Sequence, residues 1–370
     1  MTMLSFMTVA LFVYGSMHLY VFGKVWLAFT HSPRLALVLA LAGTALTFSP
    51  IFVWYMERQG WHDATTFTSW AIYIWMGFLF LFFCIGLVFD IGHALASLLH
   101  LKWSPSNQTS LITTTLFTLA ALCYGLIEAR QIQIEEIRIT TPKLASGRIT
   151  IAQISDLHLG RMMGDAFLER VIARLHELNP DIVVATGDIV DGHGDHLDAL
   201  ARRFQAYKPP LGAYAVIGNH EHYIGLNHSL RFLRSAGFTV LRGESAAAGG
   251  IILAGVDDPG TRDPAQPART DAGKALASAS KDNFIVLLKH QPVIEDNTPF
   301  DLQLSGHIHG GQIFPFVYLT HMVYGVHTGL SQLAGGRQLY VNRGAGTWGP
   351  PIRLLAPPEI TLFIIESAKK

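Results

Sequence analysis

Four runs of apolar residues fill the first third of the chain: Met3–Phe22, Leu35–Tyr55, Phe67–Phe89 and Leu111–Ile127. A helix needs about 20 such residues to cross roughly 30 Å of hydrocarbon, so the sequence predicts four membrane-spanning helices. The last run is the shortest and carries Thr113, Thr114, Thr115 and Thr118, hydroxyls that a helix accommodates by bonding back to its own carbonyls. Charge follows the same division. Of 27 basic and 27 acidic side chains, residues 1–127 hold seven: Lys24, Arg34, Glu57, Arg58, Asp63, Asp90 and Lys102. One charge-poor third and one charge-rich remainder make a chain built for two solvents, which excludes a single soluble globule, a disordered chain and a collagen-like one. Trp26, Trp54, Tyr55, Trp61, Trp70 and Trp103 sit near the ends of the runs, as an interfacial aromatic belt requires. No basic residue precedes the first run and no small-residue cleavage site follows it, so it reads as a retained helix, not a signal peptide.

An even number of spans puts both termini on one side. The flanking basic residues divide four to three and do not set which side. His18 and the group Asp90, His93 and His100 raise the idea of an ion path. Interfacial solvation is the simpler account, with His93 and His100 on one helical face beyond the third run. No span is expected to carry an interior acid–base pair, which reads against a transporter. The two cysteines, Cys84 and Cys123, lie in apolar stretches and indicate no disulfide framework. A net charge of zero argues against a dedicated nucleic-acid binder, so no nucleic-acid partner is expected.

From residue 128 the pattern changes to short β-rich runs separated by turns: Ile132–Thr140, Arg148–Ile154, Asp181–Thr186, Ala213–Ile217, Phe238–Leu241, Gly250–Ala254, Phe284–Leu288 and Leu339–Val341. Helical periodicity intervenes at Ala166–Leu178 and His196–Tyr207. Strands alternating with helices predict an α/β layered domain over residues 128–370, following a transmembrane region over 1–127. Asp257–Ala277, polar and rich in Pro, Gly and Asp, reads as a surface loop.

Five polar clusters fall just after predicted strands, where α/β domains place their sites. They are Asp156-Leu157-His158, Gly187-Asp188 with Asp191, Gly218-Asn219-His220-Glu221, His290, and Gly306-His307-Ile308-His309. Each alone has an ordinary reading as a turn or a surface histidine. Together they supply carboxylate, imidazole and amide ligands from several loops with no competing thiolate, which is the donor chemistry of a dinuclear divalent site.

This order, D-x-H, G-D-x-x-D, G-N-H-[DE], a lone H and then G-H-x-H, resembles the calcineurin-like metallophosphoesterase superfamily over Ile149–Pro315. The resemblance implies a four-layer α/β/β/α sandwich and two divalent metal ions, with Mn, Fe, Zn and Ni all suited to these ligands. It implies that Asp156, His158 and His309 hold one ion and Asn219, His290 and His307 the other, with Asp188 bridging. It further implies that His220 is the acid facing the phosphate, oriented by Asp191.

Gly192 stands where phosphoprotein phosphatases of the superfamily carry a phosphate-gripping arginine, which argues against a protein substrate. Arg343, in Asn342-Arg343-Gly344-Ala345-Gly346, is a candidate replacement clamp; a strand-end arginine in a surface turn is the alternative. GHIHGGQIFP from Gly306, the N-R-G-A-G stretch and the helices resemble a narrower branch, bacterial membrane phosphoesterases similar to UDP-2,3-diacylglucosamine pyrophosphatases of lipid A synthesis. That points to a multi-pass inner-membrane enzyme acting on a lipid-linked phosphate, its domain facing the cytoplasm. The competing readings are a general phosphodiesterase of nucleotides or envelope phosphoesters and a non-catalytic sensor or scaffold. Finally, Phe314–Gly335 is apolar and aromatic. The ordinary expectation is core packing by Phe316, Tyr318, Leu319, Met322 and Val323; the alternative is a patch that meets lipid beside the site.

Overall fold

The computed structural model describes residues 3–29, 31–191, 196–260, 267–277, 279–280, 282–295 and 298–368. The chain divides into two compact units, Met1–Ile127 with Gly349–Ile352, and Glu128–Trp348 with Arg353–Lys370.

The first unit is helical: α1 (Met3–Ala28), α2 (Pro33–Arg58), α3 (His62–Leu98) and α4 (Asn107–Glu128). All four are long and apolar enough to cross a membrane. Their outward positions are apolar too, with Phe12, Leu19, Leu41 and Phe67 exposed, whereas Tyr14, Val21, Leu79 and Phe82 pack inside. Each helix outruns its apolar run. At 1.5 Å per residue, the 37 residues of α3 extend well past the hydrocarbon thickness. The overrun corrects one expectation, because it draws Lys24 into α1 and Asp90 into α3, where they meet. Lys24 Nζ donates to Asp90 Oδ1 at 2.6 Å, and the Tyr20 hydroxyl donates to Oδ2 at 2.6 Å. The helical unit therefore does contain an acid–base pair. His18 is buried with its Nε2 accepting from Trp75 Nε1 at 3.0 Å, a packing role. His93 lies within α3 beside Trp103, and His100 lies past the helix end with a φ of 55°, so the two share no helical face.

The second unit holds two six-stranded sheets. Its strands are β1 (Gln133–Thr141), β2 (Arg148–Ile154), β3 (Ile182–Thr186), β4 (Ala213–Val216), β5 (Phe238–Val240), β6 (Glu244–Ala248), β7 (Ile251–Gly255), β8 (Phe284–Leu288), β9 (Leu302–Ser305), β10 (Gly329–Gln332), β11 (Gln338–Val341) and β12 (Glu359–Ser367). Its helices are α5 (Asp165–Leu178), α6 (His196–Gln205), α7 (Asn219–Tyr223), α8 (Leu226–Ser235), α9 (Ala272–Ala275) and α10 (Phe316–Tyr324). One sheet runs β1-β12-β2-β3-β4-β5 and the other β10-β11-β9-β8-β7-β6. Within them β2 to β5 are mutually parallel, as are β7, β8, β9 and β11.

Alternation along each strand builds the layers. Ile151, Val184 and Val216 of the first sheet pack with Leu253, Val286, Leu304 and Tyr340 of the second to form the inner core. The intervening positions Ala152, Ile154, Val183 and Ala185 face outward against Phe167, Leu168, Val171, Leu175, Phe204 and Leu233 of α5, α6 and α8. On the second sheet Ile285 and Leu287 are covered by Ala272, Ala275 and Leu276. The layers follow the α/β/β/α sandwich. Much of the described Asp257–Ala277 stretch is exposed as expected, but its start is not: Asp257 is 1% exposed, gripped by Arg242 through Nε at 3.0 Å and Nη2 at 2.7 Å. A carboxylate so close to the sheet is buried because it has a bidentate cationic partner. Residues 261–266 of that stretch lie outside the described residues.

Candidate metal centre

The polar clusters converge from both sheets. Asp156 follows β2, Asp188 follows β3, Asn219 and His220 follow β4, His290 follows β8, and His307 and His309 follow β9. Loops after parallel strands turn sharply here. Asp156, His158, Asp188, His307 and His309 have φ of 53°, 49°, 52°, 71° and 51°, half of the ten left-handed non-glycine residues among those described. Each costs roughly 1–2 kcal/mol relative to ordinary backbone and survives only where the surroundings dictate it. The motif glycines make room: a Cβ on Gly218 would collide with the Asp188 carboxylate, and one on Gly306 with Ser155 and Asp156.

Two groups of donor atoms result. In one, His158 Nε2 and His309 Nε2 face each other at 3.1 Å, with Asp156 Oδ1 3.4 Å from the latter. In the other, His290 Nε2 lies 3.1 Å from Asp188 Oδ2, 3.1 Å from His307 Nδ1 and 3.2 Å from Asn219 Oδ1. His290 Nδ1 donates to the Thr186 carbonyl at 2.8 Å, which aims the Nε2 lone pair into the cluster, as metal-bound histidines are held. Asp188 belongs to this second group. Its Oδ1 accepts the His220 backbone N–H at 2.9 Å, and it is all but fully buried. Burial opposes its charge, but His290 and His220 prevail and hold its carboxyl well below the usual range. Ring nitrogens facing one another at this distance, around two buried carboxylates, want a cation between them. The donor set fits two divalent ions.

Beside the clusters sits an oriented histidine. His220 Nδ1 is 2.9 Å from Asp191 Oδ1, and His158 Nδ1 is 3.4 Å from Asp191 Oδ2, so one carboxylate sets two rings. Burial pulls the His220 pKa down, but Asp188 and the bond to Asp191 outweigh it and leave the ring at about 9. The rings of Tyr223 and Trp348 pack edge-on against His220 at 5.3 and 5.7 Å.

A profile of the calcineurin-like phosphoesterase family matches residues 149–311. A metallophosphoesterase of Aquifex aeolicus is 41% identical over 248 residues, covering 66% of this chain and 95% of that protein. This chain is a metallophosphoesterase. A second, from Campylobacter jejuni, is 32% identical over 71% of this chain and 70% of its own. A zebrafish protein named as a transmembrane protein with a metallophosphoesterase domain is 29% identical over 90% of this chain and 80% of its own. The metallophosphoesterase is thus a metal-dependent hydrolase of phosphoric esters that uses two divalent ions, attached to a set of membrane-type helices.

Two residues of the metallophosphoesterase site, Arg353 and Tyr324, escape the sequence reading, and a third, Glu221, is read there within a cluster but without a role. Glu221 is fully buried, and its carboxylate accepts the backbone N–H groups of Asp188 (2.9 Å), Ile189 (2.7 Å), Val190 (3.1 Å) and Gly218 (2.7 Å), holding the Asp188 loop against α7. Its signal was present: an acid three residues after the glycine that precedes α7 is capping-box spacing. Arg353, also fully buried, donates to the carbonyls of Arg343 (2.9 Å), Gly346 (2.7 Å), Ala356 (2.9 Å) and His309 (3.3 Å), locking the tail around His309. Tyr324 places its hydroxyl 2.6 Å from His307 Nε2, which leaves His307 Nδ1 directed into the cluster. No local pattern signals either of these two.

Arg343 does not present itself as a phosphate clamp. It donates through Nη2 to Glu135 at 2.7 Å, and its Nε lies 2.9 Å from Glu359 and 3.1 Å from the Pro357 carbonyl, so its charge is matched twice over. Gly192 lies outside the described residues.

Proposed function

We propose that Asp156, His158 and His309 hold one divalent ion, that Asn219, His290 and His307 hold the other, and that Asp188 serves both. Two ions so held supply positive charge against the phosphoryl oxygens and a nucleophile drawn from water at neutral pH. The chain's own contribution to the leaving group is His220: with its Nδ1 on Asp191, its Nε2 is free to donate a proton to the departing oxygen. The observation that carries this reading is the adjacency of the Asp191–His220 pair to two donor clusters, one reached through His158 and the other holding Asp188.

The substrate we propose is a lipid-linked phosphoester or pyrophosphate such as UDP-2,3-diacylglucosamine, cleaved at the cytoplasmic face of the inner membrane. Four candidate spans in the same chain support it by confining the hydrolase to a bilayer, where such lipids reside. Full-length protein loaded with Mn²⁺ should release UMP from UDP-2,3-diacylglucosamine and cleave bis-p-nitrophenyl phosphate, and the Asp188→Ala variant should do neither. Cleavage of the aryl diester alone would remove the lipid substrate and retain the dimetal hydrolase.

A further inference from the structure

Helix α10 is built the wrong way round for a water-facing element. None of its nine residues is buried. Its outward stripe is Tyr318 (66% exposed), Leu319 (48%), Met322 (79%) and Val323 (67%), extended by Phe314 and Phe316. The half-buried side turned to the domain carries the more polar set, Val317, Thr320, His321 and Tyr324. A surface helix of a soluble domain does the reverse, sending its apolar stripe inward. From Gly310 to Gly336 there is no Asp, Glu, Lys or Arg, so nothing charged interrupts the patch.

The patch is also tied to the reaction centre. Gln312 lies just past His309 and leads into α10, whose last residue, Tyr324, contacts His307. The chain itself indicates the occupant. Only residues 129–132 separate α4, the last candidate span, from β1, so the domain is tethered within four residues of a candidate span. For an uninterrupted apolar helix in a domain so tethered to membrane-type helices, a bilayer is the abundant apolar phase.

We infer that α10 lies in the bilayer interface, inserting Tyr318, Leu319, Met322 and Val323 among the acyl chains and bringing the mouth of the metal site to the lipid headgroups. The inference deepens the lipid-linked reading of the substrate, but its first test is physical and independent of any activity. A nitroxide label is placed at Met322→Cys in the full chain, with Cys84 and Cys123 replaced by Ala, reconstituted in vesicles of phosphatidylcholine and phosphatidylglycerol. The label should collide more with dissolved oxygen than with a water-soluble nickel chelate, as should a label at Leu41→Cys in α2. A label at Ala173→Cys, on the exposed side of α5, should show the opposite. A Met322 label as open to the chelate as the Ala173 label would overturn the inference. So would a label shielded from both reagents, which would mean that protein covers the helix. In the second test, Met322→Asp with Val323→Asp should slow hydrolysis of a vesicle-borne lipid phosphoester about tenfold and leave bis-p-nitrophenyl phosphate cleavage unchanged. Equal losses on both substrates would count against insertion. If the wild type cleaves only the aryl diester, the substrate reading fails and the label measurement still decides the helix.

Discussion

The two units of this molecule handle charge in opposite ways. In the helical unit Lys24 and Asp90 neutralise each other across α1 and α3, with Tyr20 closing the second carboxylate oxygen. In the phosphoesterase unit Asp156 and Asp188 are buried among histidines whose lone pairs point at one another, and no lysine or arginine among the described residues pairs with either. The first arrangement is complete as it stands. The second is complete only with added cations. A self-compensated pair thus marks structure, and an uncompensated convergence of donors marks function.

Five measurements break or sharpen this contrast. The largest effect belongs to Asp188, which we propose serves both clusters: Asp188→Ala should empty both metal positions by elemental analysis and reduce turnover beyond the roughly 10–100-fold typical of changes around metal ligands. Full occupancy in that variant would refute the shared role. His220→Ala should retain both metals and lose about 10²–10⁴ in turnover, the range for a lost general acid. Next, chelation should abolish hydrolysis and lower the melting temperature of the phosphoesterase unit, while the helical unit's transition stays put, because bound ions stabilise only the fold that holds them. Glu221→Gln should cost about 1–3 kcal/mol in chemical denaturation, since its amide sets N–H donors against the N–H groups the carboxylate now accepts. The smallest change is in the helices. Lys24 and Asp90 are 15% and 42% exposed, so Lys24→Met should shift unfolding in detergent by under about 1 kcal/mol, and adding Asp90→Asn should restore it. A shift as large as that of Glu221→Gln would show that the pair carries a burden the contrast denies it.

What the sequence disclosed follows from how far each signal reaches. The converging donor clusters were legible because they stand in short polar motifs just after strands, and β2 and β8 stand at their expected bounds because each is a clean β-rich run between turns. The strand β12 went unread: Glu359–Ser367 inserts between β1 and β2, and its pairing with residues more than two hundred positions earlier leaves no local trace. Arg353 and Tyr324 were invisible for the same reason, since their meaning lies in carbonyls and a ring nitrogen brought close only by folding. The expectation of core packing at Phe314–Gly335 failed differently. Apolar composition reports a wish to leave water and says nothing of whether protein or lipid receives it, and α10 turns those side chains outward.

One consequence follows from the centre's drawing its donor groups from the loops of both sheets. His158 and His309 stand 151 positions apart, and neither sheet alone supplies a full set. A chain emerging from the ribosome therefore carries no working hydrolase until the second sheet has docked on the first. Turnover becomes a report on completed assembly, and a partly made or misassembled copy hydrolyses nothing.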